Sequence, residues 1–472
     1  VPFIPGSAVA AEIRQLQSIA AWRLLDLDAP TGWSWLKRIL HLHAVADHAC
    51  ASLGMSPFRK ANRWALYYNQ ASVDLLEKHH TLSTFPTDRI RVLPKTRTPQ
   101  SGITLRSLSH HACVETADVD VKWIRHFPPT ALGEDMRLRL LLFPWPFSIT
   151  SRSFAPVRDP VGTSGADLPE EKFGYFDYHP EYDAKTLDET FSKTLEVAID
   201  DAGDIDGVVL PESALTEEEF DRLWIIAEAK QVHFLLAGVR AVEKSDPLTS
   251  SAATKSRSRA RNTAFLRVKG IGADAPQTYE QDKHHRWYLD RSQIEAYGLG
   301  HVLNPGRRWW ENSVVGRRTL NVVAFNDWLT LCHLVCEDLA RIDPVSRVVR
   351  AIGPTLVIAI LLDGPQLEKR WPARYATVLA DDPGSSVLTL TSLGMAKLSR
   401  PKGTDASRCV AMWKDSRTGY RAIELDPEAT GVVLSLWGER VEEFAADGRS
   451  DGTMAGRIIF GDERQVLSPR RS

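Results

Sequence analysis

Three residues of this chain have the types and settings to do chemistry together: a carboxylate, an ammonium and a thiol. Glu212 lies in Gly207-Val-Val-Leu-Pro-Glu-Ser213, directly after a short apolar run. A carboxylate at the carboxyl end of a buried strand points into the crevice where α/β folds bind ligands. Partial desolvation there raises its pKa, as a general base requires. Cys336 ends a second apolar run, in Leu331-Cys-His-Leu-Val-Cys-Glu-Asp338. Its thiol becomes a strong nucleophile once deprotonated, and an adjacent base or cation favours that step. Lys283, in Tyr279-Glu-Gln-Asp-Lys-His-His-Arg-Trp287, would supply a buried ammonium able to stabilise a tetrahedral oxyanion. Each residue has a plainer reading alone. Glu212 equally suits a helix cap or a surface strand exit, a buried cysteine is usually an inert small hydrophobe, and a Lys-His-His-Arg run is usually solvated or anion-binding.

The elements that must position these residues follow from hydrophobic periodicity. From about residue 136 the pattern alternates strands with helices. Strands are expected at 138–143, 207–210, 232–239, 263–268, 320–325, 329–335, 355–362 and 386–391, with later ones at 409–412, 421–425 and 432–437. Helices are expected at 187–201 and 217–230 and near 345–352 and 371–379. Strand–helix–strand order with short connections argues an α/β layered fold. The strands at 263–268 and 320–335 have no helix between neighbours, so the sheet is expected to be mixed. Residues 1–135 read instead as a mainly helical region of unassigned role, with helices at 10–27, 33–51 and 60–78. Aromatic blocks at 62–68 and 122–127 suit a core or a docking face. The Ser- and Arg-rich run 244–261 has no hydrophobic pattern and reads as a mobile loop.

Composition narrows the function class. Formal net charge is −2, so no global field favours nucleic acid or an acidic membrane. No uncharged apolar stretch reaches the roughly 18 residues of a membrane span. The most apolar run, 355–362, suits a buried strand. Five scattered cysteines do not make a disulfide framework, and their odd number suits a reducing, cytoplasmic setting. The chain opens with Val1, as a piece of a longer protein would.

Taken together, Glu212, Lys283 and Cys336 occur in an order and with motifs that resemble the nitrilase superfamily of carbon–nitrogen hydrolases. The carriers are Val-Leu-Pro-Glu212-Ser, Asp-Lys283-His-His and Leu-Val-Cys336-Glu-Asp, and the resemblance spans 136–465. It implies an α-β-β-α sandwich, a Glu-Lys-Cys triad, no cofactor, a small amide or nitrile substrate and a homo-oligomer formed through the catalytic domain. It further implies that the backbone N–H of Glu337 joins Lys283 at the oxyanion. A second, auxiliary acid is expected after the lysine, where Asp290 and Glu295 are the nearest candidates. The chain also resembles the nitrilase-like part of anti-phage proteins linked to a reverse transcriptase, which would make it a scaffold beside a fused or associated polymerase.

Other chemistry-bearing residues are weaker. Cys332 and Cys336 would share one face of a strand, but no further ligands have the spacing for a metal. Ala380-Asp-Asp382 sits at an expected helix end, not in the hairpin that paired polymerase aspartates need. The histidine pairs at 79–80, 110–111 and 284–285 read as surface. The segment 361–367 matches no substrate pocket of the family, and the Arg- and Asn-containing helix motif of many members is reduced to Arg370–Tyr375.

Overall fold

The structure, a computed structural model, describes residues 91–92, 112–113, 119–126, 136–157, 172–242, 260–271, 274–316, 318–326, 328–400, 405–442 and 454–467. The helices expected at 10–27, 33–51 and 60–78 lie outside the described residues, as does most of the run at 244–261. Among the described residues, no helix is long and apolar enough to cross a membrane.

Two mixed sheets stack face to face with helices on their outer faces. The first sheet runs Gln277–Asp282, Ala260–Val268, Phe234–Val242, Gly207–Val209, Arg137–Leu142, Ala429–Glu442 and Met454–Leu467, with Leu215–Thr216 also paired to Phe234–Val242. The second runs Gly419–Glu424, Cys409–Asp415, Ser386–Thr391, Leu356–Leu361, Thr330–Val335, Thr319–Ala324 and Asp120–Arg125. Alternation along Arg137–Leu142 explains the stacking. Leu138, Leu140 and Leu142 enter the core between the sheets, whereas Leu141 joins the cluster under the helices Ala184–Ala202 and Glu217–Ala229. On the far side, Ala373, Ala376 and Leu379 of the helix Trp371–Asp381 pack on the second sheet. This is the mixed α/β sandwich that the periodicity and the motifs lead one to expect.

The structure adds strands that the sequence pattern does not show. Asp120–Arg125, within the stretch read as helical, is an edge strand parallel to Thr319–Ala324, and its Val121 and Trp123 are core residues. Trp123 of the aromatic block there is therefore core. A four-stranded sheet of Tyr288–Leu289, Arg308–Glu311, Phe173–Tyr178 and Phe154–Val157 is also new. Two of its strands have four residues and one has two, too short for a period to register. Ala260 and Arg261 open a long strand, and Arg261 pairs with Glu280 and Asp282, so the end of the Ser- and Arg-rich run is structured.

Candidate active site

Each candidate side chain sits at the end of a strand, on a backbone turn that neighbouring residues enforce. Glu212 follows Gly207–Val209, and the next residue, Ser213, adopts a left-handed φ of 51°. Ser213 is no glycine, so this backbone is sparsely populated and must be held by its surroundings. Arg240 donates to the Ser213 carbonyl, and a Thr216–Glu219 capping box starts the helix Glu217–Ala229 immediately beyond. Gly238 permits the close approach: a Cβ there would stand 2.3 Å from Glu212 Cα. Cys336 ends Thr330–Val335 with a left-handed φ of 50° and opens the one-turn helix Cys336–Leu339. Lys283 follows Gln277–Asp282, its N–H donating to the Asn262 carbonyl.

Two of these side chains, Glu212 and Lys283, meet in one buried hydrogen-bonded network. Lys283 Nζ donates to Glu212 Oε1 at 2.7 Å and to Glu311 Oε2 at 3.0 Å. Asn262 Nδ2 donates one hydrogen to Glu212 Oε1 at 2.7 Å and the other to Glu311 Oε1 at 2.6 Å. The Leu362 N–H, one residue beyond the strand Leu356–Leu361 of the second sheet, donates to Glu212 Oε2 at 2.6 Å, and the Trp287 N–H donates to Glu311 Oε2 at 3.1 Å. Glu212 and Cys336 are 1% and 3% exposed, and Lys283 is equally hidden.

Burial and charge push these groups apart. Burial alone would lower the Lys283 ammonium, but Glu212 and Glu311 outweigh it and hold the lysine well above its ordinary value. Burial raises the Glu212 carboxyl against the pull of Lys283, and the Glu311 charge adds to the rise. Burial also acts on Glu311, yet Lys283, the Trp287 N–H and Asn262 together keep it below the usual carboxylate range. The Cys336 thiol is driven well up, first by burial and then by the Glu212 charge, with Lys283 opposing. Lys283 is thus raised by the two carboxylates it touches, while burial opposes ionisation of Glu212 and of the Cys336 thiol.

Glu311 is the acid that motif spacing missed. Asp290 instead caps the short helix Arg291–Ala296, accepting from Gln293 N at 2.9 Å, and Glu295 pairs with Arg291 on its exposed face. The chain makes this helix and a loop before Arg308–Glu311 returns to the lysine, so proximity in sequence misleads here. The only available signal was a carboxylate closing an aromatic Trp-Trp-Glu stretch. Glu337 is placed beside the thiol in sequence, but its side chain turns to Arg341 at 2.7 Å. His284 is buried, not on the surface, and its N–H donates to Asp338 Oδ2 at 3.1 Å. Cys332 and Cys336 are both free thiols, and among the described residues no group of ligands could hold a metal.

No protein-family model and no curated protein matches the chain. It is similar to solved structures of carbon–nitrogen hydrolases of the nitrilase superfamily. An amidase from Nesterenkonia sp. is 13% identical, over 63% of this chain and 89% of that one, with a TM-score of 0.34. Saccharomyces cerevisiae Nit3, a member of branch 10 of the nitrilase superfamily, is 13% identical over 62% and 91%, with a TM-score of 0.36. A carbon–nitrogen hydrolase from Helicobacter pylori G27 is 14% identical over 61% and 86%, with a TM-score of 0.35.

Proposed function

We propose that this chain is a thiol-dependent hydrolase of a non-peptide carbon–nitrogen bond, an amide or nitrile, acting through Glu212, Lys283 and Cys336. The observation that carries the reading is the buried ammonium of Lys283 hydrogen-bonded to two buried carboxylates, Glu212 at 2.7 Å and Glu311 at 3.0 Å. For an amide, Glu212 takes the Cys336 proton as the sulfur attacks the carbonyl carbon. The resulting oxyanion is held by Lys283 and the Glu337 N–H. Collapse breaks the C–N bond, and Glu212 passes its proton to the departing amine, leaving a thioester. Glu212 next removes a proton from water; the hydroxide displaces the thiolate, which recovers that proton, and the acid departs. The chain balances as amide plus water giving acid plus amine. Glu311 keeps Lys283 charged and in place throughout. The same reading places residues 136–465 in a catalytic domain that forms a homo-oligomer in the cytoplasm.

A second reading, from a different class, is a non-catalytic nitrilase-like scaffold for assembly in an anti-phage system with an associated reverse transcriptase. Its support is the depth of Cys336, where burial opposes ionisation of the thiol. Intact-mass measurement separates the two. The enzyme reading expects an acyl adduct on Cys336 from a panel of small amides, released by hydroxylamine as the hydroxamate and absent in Cys336→Ala. A panel that never acylates Cys336, with the protein folded, sinks it and leaves the scaffold.

A further inference from the structure

We propose that Asp363 makes this site selective for amides or nitriles that carry a second, cationic group such as an ammonium or guanidinium. The inference rests on the hydrolytic reading above and adds the charge class of its substrate. Asp363 follows Leu362, whose N–H holds Glu212 Oε2 at 2.6 Å, so its carboxylate stands one residue from the point where the second sheet touches the base. Its side chain is 10% exposed. Oδ1 accepts from Arg370 Nη2 at 2.7 Å and from the Tyr297 hydroxyl at 3.2 Å. Oδ2, itself buried, has no hydrogen-bond partner among the described residues.

Buried carboxylate oxygens are normally paired, and one left over at a reaction centre is a group waiting for a donor. Anchoring Arg370 requires only Oδ1, so a purely structural role leaves Oδ2 unexplained. The local charge points the same way. In the network that runs from Glu311 through Lys283 and Glu212 to Leu362 and Asp363, the acids Glu212, Glu311 and Asp363 stand against Lys283 and Arg370, an excess of acid that disfavours an anionic substrate and favours a cation. After burial and the Glu212 charge, the Asp363 charge also raises the Cys336 thiol.

Calorimetric titration of Cys336→Ala, which cannot turn over, tests this with γ-aminobutyramide, its neutral isostere valeramide, and anionic succinamate. The cationic amide is expected to bind about ten- to a hundredfold tighter than the neutral one, the range of a charged hydrogen bond. The ratio should fall towards one in Cys336→Ala/Asp363→Asn. A ratio within one protein is insensitive to a partly folded sample, and the single variant's preference decides if the double variant does not fold. Preference for valeramide or succinamate, failure of the cationic amide to bind at millimolar concentration, or a ratio unmoved by Asp363→Asn overturns the proposal. Acylation of the wild-type thiol without charge preference would remove Asp363 alone. An Asp363-dependent preference without any acylation would remove the hydrolytic reading and leave a cation-binding site.

Discussion

Asp338, two residues beyond the thiol of Cys336, accepts the backbone N–H of His284, the residue after Lys283, at 3.1 Å. Its other oxygen lies 3.0 Å from His285 Nδ1. Asp338 is wholly buried, so these bonds tie the turn carrying the lysine on the first sheet to the turn carrying the thiol on the second. The register of ammonium and sulfur is thereby set by one carboxylate rather than by sheet packing alone.

Asp338→Asn presents an amide that can no longer accept at both oxygens. Turnover should fall about 100-fold, the usual consequence of misplacing a catalytic group by about an ångström. The effect should lie in kcat more than in KM, and the Lys283 influence on Cys336 labelling should weaken in parallel. Loss confined to thermal stability, with kcat intact in the folded protein, would assign Asp338 to packing only.

Glu311→Gln removes the fixed charge beside Lys283 and should cost on the order of 100-fold in kcat, comparable with losing one stabilising group at an oxyanion. Asp290→Ala should cost about 1 kcal/mol of stability through the lost cap and leave kcat unaltered. Glu295→Ala should change stability by less than about 0.5 kcal/mol, as exposed pairs usually do. Steady-state kinetics and urea melts of the three variants check the ranking, and equal losses in all three would contradict it.

The pH dependence of Cys336 alkylation should place its midpoint well above the ordinary thiol value of about 8.5, because burial and the Glu212 charge both oppose ionisation. Lys283→Ala removes the opposing cation and should move the midpoint further up. Glu212→Gln should move it down while cutting turnover by about 100-fold or more, since a proton acceptor is lost. Midpoints that shift together in both variants would show that Glu212 and Lys283 do not act oppositely on the thiol.

Lys283→Met leaves two buried carboxylates without their cation and should destabilise the fold by about 3–5 kcal/mol near neutral pH. The linkage has a definite sign. Lys283 is raised in the folded state, so its contribution is full below the ordinary lysine value of about 10.4 and fades as pH rises through the folded value. Glu311 is depressed, so its contribution is full above the ordinary glutamate value of about 4.3 and fades as pH falls through the folded value. Denaturant melts across pH should show both limbs in the wild type, and Glu311→Gln should flatten the acid one.

Much of this arrangement can be read from the chain itself. Glu212 and Cys336 end runs whose apolar character marks them as buried strands, and an ionisable residue at such an end is conspicuous. Lys283 becomes informative only beside them, because a Lys-His-His-Arg run alone suits a surface. The strand at 386–391 and the helix at 217–230 are likewise legible, since each carries an apolar pattern that its own fold satisfies. Tertiary structure alone decided the rest. Glu311 reaches Lys283 because Arg308–Glu311 pairs in parallel with Phe173–Tyr178, a contact between segments far apart in the chain. Asp338 reaches His284, Asn262 bridges two carboxylates, and Leu362 holds Glu212 by the same kind of convergence. Local sequence records propensity and periodicity, which depend on near neighbours. Which side chains share one buried volume depends on how two sheets stack, and no local pattern encodes that.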